Sequence, residues 1–225
     1  MSIDSDIRFS AITEAITQRG VAVTRGGFGE DLIGNARAIA SLLGKPVPTR
    51  RGRSDFDVLR PTEASAAKGS SLSARFGSGE FPLHVDTAHW VVPCRFLVLA
   101  CEDPGAESRP TRILDWHSLS LGRAERDLLL SAAFKVVNGR RSFFSSVLST
   151  RRHFVRYDPG CMRAVDRRSE DAVGLIAELG ASRFITEFAW EKGLILVIDN
   201  WRVLHGRGPS ECPDHNRCRF RVSVV

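Results

Sequence analysis

Tyrosine occurs once in these 225 residues, methionine twice, and lysine only four times against 28 arginines. The net charge of +6 is therefore arginine charge, and it is scattered along the chain without forming a basic arm. That distribution argues for a solvated basic surface and against a nucleic-acid partner. No apolar stretch approaches the ~18 residues of a membrane span, and no basic-then-apolar leader opens the chain, so neither a membrane nor secretion is expected. Five cysteines, an odd number without paired spacings, fit reduced thiols in the cytoplasm. A Gly-x-Ser-x-Gly turn and a glycine-rich phosphate loop are both missing, which removes the hydrolase and kinase classes.

What is present suffices for one well-filled core: 43% of the residues are hydrophobic, and a mainly β chain of this length commonly forms a single domain, here residues 1–225. Residues 1–60 read as an N-terminal elaboration. Phe9, Ile12 and Ile16 form one helical stripe, a strand-like Val21–Val23 follows, and Leu32, Ala36, Ile39 and Leu43 form a second stripe ended by Gly44 and Pro46. Residues 61–80, rich in Ser, Ala and Gly, read as a loop beside whatever site follows. Strands are expected at Arg95–Cys101, Pro110–Leu114, Phe134–Val137, Phe154–Tyr157, Leu194–Asp199, Arg202–His205 and Arg217–Val225, with helices at Leu119–Ala132 and Glu170–Leu179. Many short strands with peripheral helices fit a double-stranded β-helix, or jelly roll.

The chemistry-bearing residues are His84-Val85-Asp86 and, 121 residues after the first histidine, His205 within Asp199-Asn200-Trp201-Arg202-Val203-Leu204-His205-Gly206-Arg207. A bare His-x-Asp is weak, so its context matters. From Phe81 to Asp86 apolar and polar residues alternate, which puts His84 and Asp86 on one face of a strand. Two imidazoles and a carboxylate on adjoining strands can hold Fe(II) on one side and leave positions free for substrate-like ligands and O2. On the last strand Arg217, Arg219 and Arg221 alternate with Cys218, Phe220 and Val222. Three arginines on one face of a buried strand call for an anion.

These residues resemble the Fe(II)- and 2-oxoglutarate-dependent oxygenases of the taurine dioxygenase type, related to clavaminate synthase. The resemblance rests on Phe-Pro-Leu-His84-Val-Asp86-Thr, on Pro110-Thr111 placed 27 residues after His84, on Asp199-Asn200-x-Arg-Val-Leu-His205-Gly-Arg, and on an arginine 12 residues past His205. It covers roughly residues 70 to 225. It implies that His84, Asp86 and His205 ligate iron, that Thr111 and Arg217 clamp the distal carboxylate of 2-oxoglutarate, and that Arg221 lies near cosubstrate or substrate, with Arg219 also within the tolerated spacing. A planar guanidinium and a hydroxyl suit a carboxylate physically. The implied activity is hydroxylation of a C–H bond of a small molecule, such as an amino acid, a sulfonate or a natural-product intermediate, with release of succinate and CO2. Asp86 stands where halogenating relatives lack the carboxylate, which argues against halogenation. A non-catalytic ligand-binding jelly roll and an oxygenase acting on a macromolecule are the alternatives, and a homo-oligomer or a carrier-protein partner is left open.

Other residues carry less. Arg156 could place a cation near the substrate, as could Arg140-Arg141, although charged loop residues in water explain both. His89 points to a structural or supporting role, and His117 and His153 to surface or capping roles. Cys212-x-x-His215-x-x-Cys218 has zinc-like spacing but supplies only three ligands.

Overall fold

The computed structural model describes residues 3–49, 54–67, 72–106, 109–149, 153–209 and 216–225. Helix α1 (Ile3–Arg19) leads into β1 (Val21–Thr24), α2 (Leu32–Leu43), β2 (Pro46–Val47) and β3 (Phe56–Leu59). After the short α3 (Leu72–Phe76) come β4 (Phe81–His84), β5 (Phe96–Asp103), β6 (Thr111–Asp115), α4 (Arg123–Ser131), β7 (Phe134–Asn138), β8 (Arg141–Ser145) and β9 (Met162–Ala164). The chain closes with α5 (Arg167–Gly180), β10 (Thr186–Phe188), β11 (Ile195–Asp199), β12 (Val203–Arg207) and β13 (Cys218–Val224). The molecule is thus mainly β with peripheral helices, and among the described residues no helix is long and apolar enough to cross a membrane.

The strands form antiparallel sheets. The larger runs β1-β11-β5-β13-β2 with β3 also on β13, the second runs β10-β6-β12-β4, and a small third sheet runs β8-β7-β9. Alternation along β5 decides how they stack. Leu97, Leu99 and Cys101 meet Ile113 of β6, Val203 of β12 and Trp190 between the two principal sheets. Val98 and Ala100 point the other way and pack with Ile12, Ile16, Ala36 and Ile39 under α1 and α2, the two stripes expected from the sequence. The outer face of the second sheet, through Leu83, Leu114 and Leu204, is covered by α4, α5 and the third sheet. Each α2 and α5 start is capped: Asp31 Oδ1 accepts from Gly34 N–H at 2.6 Å, and Asp166 Oδ1 accepts from Ser169 N–H at 2.8 Å.

Four expectations change. Phe154–Tyr157 is no strand beyond an isolated bridge between Val155 and Leu148, because its backbone serves four partners: Phe154 C=O accepts from Ser149, Val155 N–H donates to Trp201, Arg156 N–H to Val147, and Tyr157 C=O accepts from Val85. The helix expected from Leu119 starts only at Arg123, where the Glu125 carboxylate accepts the Gly122 N–H at 2.7 Å. The strand expected through Asp86 ends at His84, and Asp86 opens a turn. The arginine strand begins at Cys218 and its register with β5 shifts between Cys218 and Arg219, which interrupts the expected alternation ahead of Arg219. Within 61–80, Leu72–Phe76 is helical; residues 68–71 lie outside the described residues, as do Cys212 and His215 of the zinc-like spacing.

Candidate metal centre

β4 and β12 are hydrogen-bonded neighbours with His84 directly opposite His205. Both histidines are buried, and their rings lie 4.5 Å apart, centroid to centroid. Asp86, beyond the strand end, is brought to them by Asn200. This fully buried side chain accepts the Asp86 N–H through Oδ1 at 2.9 Å and donates through Nδ2 to the carbonyls of Asp86 at 3.0 Å and Cys94 at 2.8 Å. Thr87, at φ 56, completes the turn, its hydroxyl accepting the Cys94 N–H at 2.8 Å.

The outcome is one donor atom each from His84, Asp86 and His205, all within 4.8 Å of one another. Nδ1 of His84 lies 2.9 Å from the Pro82 carbonyl; a proton there leaves the Nε2 lone pair, 3.8 Å from Asp86 Oδ1, for the cluster. Nδ1 of His205 is buried and has no hydrogen-bond partner among the described residues. Two imidazoles, one of them with an orphaned buried ring nitrogen, and one carboxylate form a donor set that fits a divalent transition metal.

Electrostatics prepare Asp86 and His205 in opposite senses. Burial alone would raise the Asp86 pKa, but Arg221, His205 and His84 more than offset it and hold the carboxyl at about 2. Burial, reinforced by His84, pushes His205 down to about 3 despite Asp86. At neutral pH the carboxylate is charged and His205 neutral, the protonation states a metal requires. Arg221 donates through Nη1 to Asp86 Oδ2 and through Nη2 to Asp57 Oδ2, both at 2.8 Å, and Thr49 Oγ1 donates to the same Asp57 oxygen at 2.8 Å.

A second cluster lies along the same inter-sheet space. Thr111 of β6 sits opposite Arg207 of β12 and its hydroxyl accepts the Trp190 Nε1–H at 2.9 Å. Arg219 lies with its Cζ 4.2 Å from the Trp190 ring centroid and donates to the Arg109 carbonyl at 2.9 Å. Arg207 donates to the carbonyls of Gly79 and Gly77, each at 2.7 Å, and Arg109 also holds the Ser78 and Gly79 carbonyls. Burial and the neighbouring charge of Arg217 pull Arg207 and Arg219 down to about 9. Arg207 and Arg219 are held by neutral carbonyls and a ring face, and an anion placed beside them would be favoured by their charge.

The structure thus gathers His84, Asp86 and His205 in one place, and Thr111 with Arg219 and the charge of Arg217 in another. Arg221 is engaged by Asp86 and Asp57. Arg156 is 2% exposed; its terminal nitrogens donate to the carbonyls of Ala88, Trp90 and Val91, and its guanidinium lies over Phe143 and Phe154. It anchors the loop that follows the Asp86–Thr87 turn. Asp57 and Trp190 were not singled out by sequence, and Asn200 was named only within the His205 motif without a role. Only Asn200 carried a signal, as the Asp-Asn step closing the β11 run.

Residues 123–223 match the family model described as "Taurine catabolism dioxygenase TauD, TfdA family". No curated protein sequence matches the chain. Among solved structures, the non-heme iron oxygenase OrfP in complex with Fe, succinate and (3R,4R)-dihydroxy-L-Arg superposes with a TM-score of 0.73 at 19% identity, over 99% of this chain and 81% of that one. OrfP in complex with Fe and alpha-ketoglutaric acid gives 0.73 at 20% identity, over 99% and 80%. An asparagine oxygenase in complex with Fe(II), 2S,3S-3-hydroxyasparagine and succinate gives 0.74 at 16% identity, over 100% and 80%. The chain therefore carries the TauD, TfdA sequence signature over residues 123–223, and over nearly its whole length it has the fold of these non-heme iron oxygenases.

Proposed function

We propose that the protein is an Fe(II)- and 2-oxoglutarate-dependent dioxygenase that hydroxylates a C–H bond of a small molecule of the amino-acid class, on a double-stranded β-helix formed by the two principal sheets. The observation that carries this reading is the convergence of His84, Asp86 and His205, with a buried cluster of arginine and threonine side chains between the same sheets. The bound hydroxylated arginine and hydroxyasparagine of the neighbouring structures support the substrate class.

His84, Asp86 and His205 would hold the iron. With Asp86 Oδ2 taken by Arg221, Oδ1 is the oxygen left to ligate, and His84 offers Nε2 because Nδ1 faces Pro82. Thr111 with Arg217 and Arg219 would receive the distal carboxylate of 2-oxoglutarate, where a hydroxyl and guanidinium groups supply charge-assisted hydrogen bonds. When bound, iron and 2-oxoglutarate together supply O2-dependent oxidation of the substrate C–H bond, with succinate and CO2 as coproducts. The apolar side chains Leu99, Ile113 and Val203 pack together between the sheets, a low-dielectric setting that would strengthen each of these contacts.

Anaerobic titration of the apo-protein with Fe(II), then with 2-oxoglutarate, tests the reading. A weak visible charge-transfer band is expected in the wild type and not in His205→Ala. Folded, metal-bound wild-type protein that never develops the band would overturn it in favour of a non-catalytic binding protein.

A further inference from the structure

Trp190 lies just beyond β10, 2% exposed, in a T-shaped contact with Phe188 at 4.7 Å and 87°. That packing fixes the plane of its indole, and the indole touches both kinds of group in the arginine and threonine cluster. An indole N–H can only donate, so at 2.9 Å it makes Thr111 Oγ1 the acceptor. The Thr111 hydroxyl hydrogen then has no acceptor among the described residues, and it is left pointing away from the indole. On the ring face, Arg219 sits at 4.2 Å, close enough for a cation–π interaction. Nε of Arg219 is buried without a hydrogen-bond partner among the described residues. A hydroxyl forced to be a donor and a guanidinium with an unused buried donor are both set by one side chain.

We propose that Trp190 is a positioning residue for the distal carboxylate of 2-oxoglutarate, acting through Thr111 by fixing its hydroxyl as a donor and through Arg219 by holding its guanidinium plane. This rests on the oxygenase reading above. Trp190 acts on Thr111 and Arg219 and on none of the three metal-site side chains, so its loss should weaken cosubstrate capture and leave metal affinity and the saturated rate nearly unchanged.

Trp190→Phe removes the N–H and keeps the ring. Followed by the visible band in the anaerobic titration, it should weaken 2-oxoglutarate binding about fivefold, the value of one ordinary hydrogen bond, with Fe(II) affinity as in the wild type. Thr111→Val should weaken binding by at least as much, and Trp190→Phe in the Thr111→Val background should cost nothing more. Unchanged 2-oxoglutarate affinity in Trp190→Phe, or full additivity with Thr111→Val, would overturn the proposal. If Trp190→Phe does not fold, unchanged affinity in Thr111→Val overturns it equally. Failure of the wild type to bind 2-oxoglutarate at all would instead sink the oxygenase reading, so the two failures are distinct.

Discussion

Arg221 shares one guanidinium between two carboxylates, and the division has consequences for the metal centre. Its Nη1 holds the outer oxygen of Asp86 and its Nη2 is drawn toward Asp57, which faces it directly across the β13–β3 pair. Burial would raise the Asp86 pKa if the cation were removed. Arg221→Gln should therefore let the carboxyl rise from about 2, so that protons compete with metal at a higher pH. Metal affinity is expected to fall about tenfold at pH 7.5 and to fall further, relative to wild type, at pH 5.5; metal titrations at the two pH values check both effects. Equal ratios to wild type at both pH values would refute the electrostatic account. His205 gives a second residue-scale test, made on metal-free protein. Its folded pKa of about 3 lies below the ~6.5 of an unfolded histidine, so between these values the unfolded chain binds more protons. The stability it contributes is complete above pH 6.5 and is lost as pH falls toward 3, by about 1.4 kcal/mol per pH unit at most. Unfolding midpoints of apo wild type should drop across pH 6 to 4, and His205→Asn should flatten that part of the profile.

At the scale of elements, the centre depends on β12 approaching β4 closely at Gly206. A Cβ there would lie 2.7 Å from the Phe81 carbonyl oxygen, in the same stretch where the β12–β4 register is irregular between His205 and Arg207. Gly206→Ala should pry the two strands apart, destabilise the protein by about 1–3 kcal/mol and weaken metal binding because both histidines ride on these strands. Gly174 on α5, with open space around its Cβ position, gives the opposite expectation: Gly174→Ala should stabilise by about 0.5–1 kcal/mol and leave metal binding alone. Denaturant unfolding and metal titration of the two variants separate close approach from general glycine effects. These elements also show what the sequence can and cannot disclose. Alternation made β4 readable, continuous apolar runs buried on both faces made β5 and β11 readable, and β12 was read from its place after the Asp-Asn step that closes β11; with β4 and β12 came the two histidines. Asp86 was assigned to a strand because alternation continues through it, while the turn that carries it is set by Asn200, 114 residues away. The bulge at Cys218 and Arg219 depends on the partner strand β5, and nothing local announces it.

The whole molecule is tied together by contacts of long range that leave no local pattern. Arg202 pairs with Asp115 through Nε at 2.7 Å and Nη2 at 2.6 Å, and it donates as well to the carbonyls of Thr17 and Gln18 at 2.7 and 2.9 Å. One side chain next to the metal strand thus closes the C-terminal end of α1 and fixes β12 to β6. The helical stripes of α1 and α2 were legible because they repeat every three to four residues, yet the sheet they cover, and the pairing of β1 with β11 across most of the chain, follow only from tertiary packing. Since His84 and Asp86 come from one part of the chain and His205 from another, a metal that binds all three should stabilise the fold as a unit. At a free metal concentration about 100 times the dissociation constant, the gain is about 2.7 kcal/mol, which for a domain of this size corresponds to a rise of about 5–10 °C in Tm. Co(II), which is not oxidised during a scan under ordinary handling, serves as the probe. The rise should disappear in His84→Ala, Asp86→Ala and His205→Ala, while Arg156→Lys, which loosens only the loop after the metal turn, should retain it at a lower starting Tm. A rise of equal size in any of the three ligand variants would show that the metal binds elsewhere.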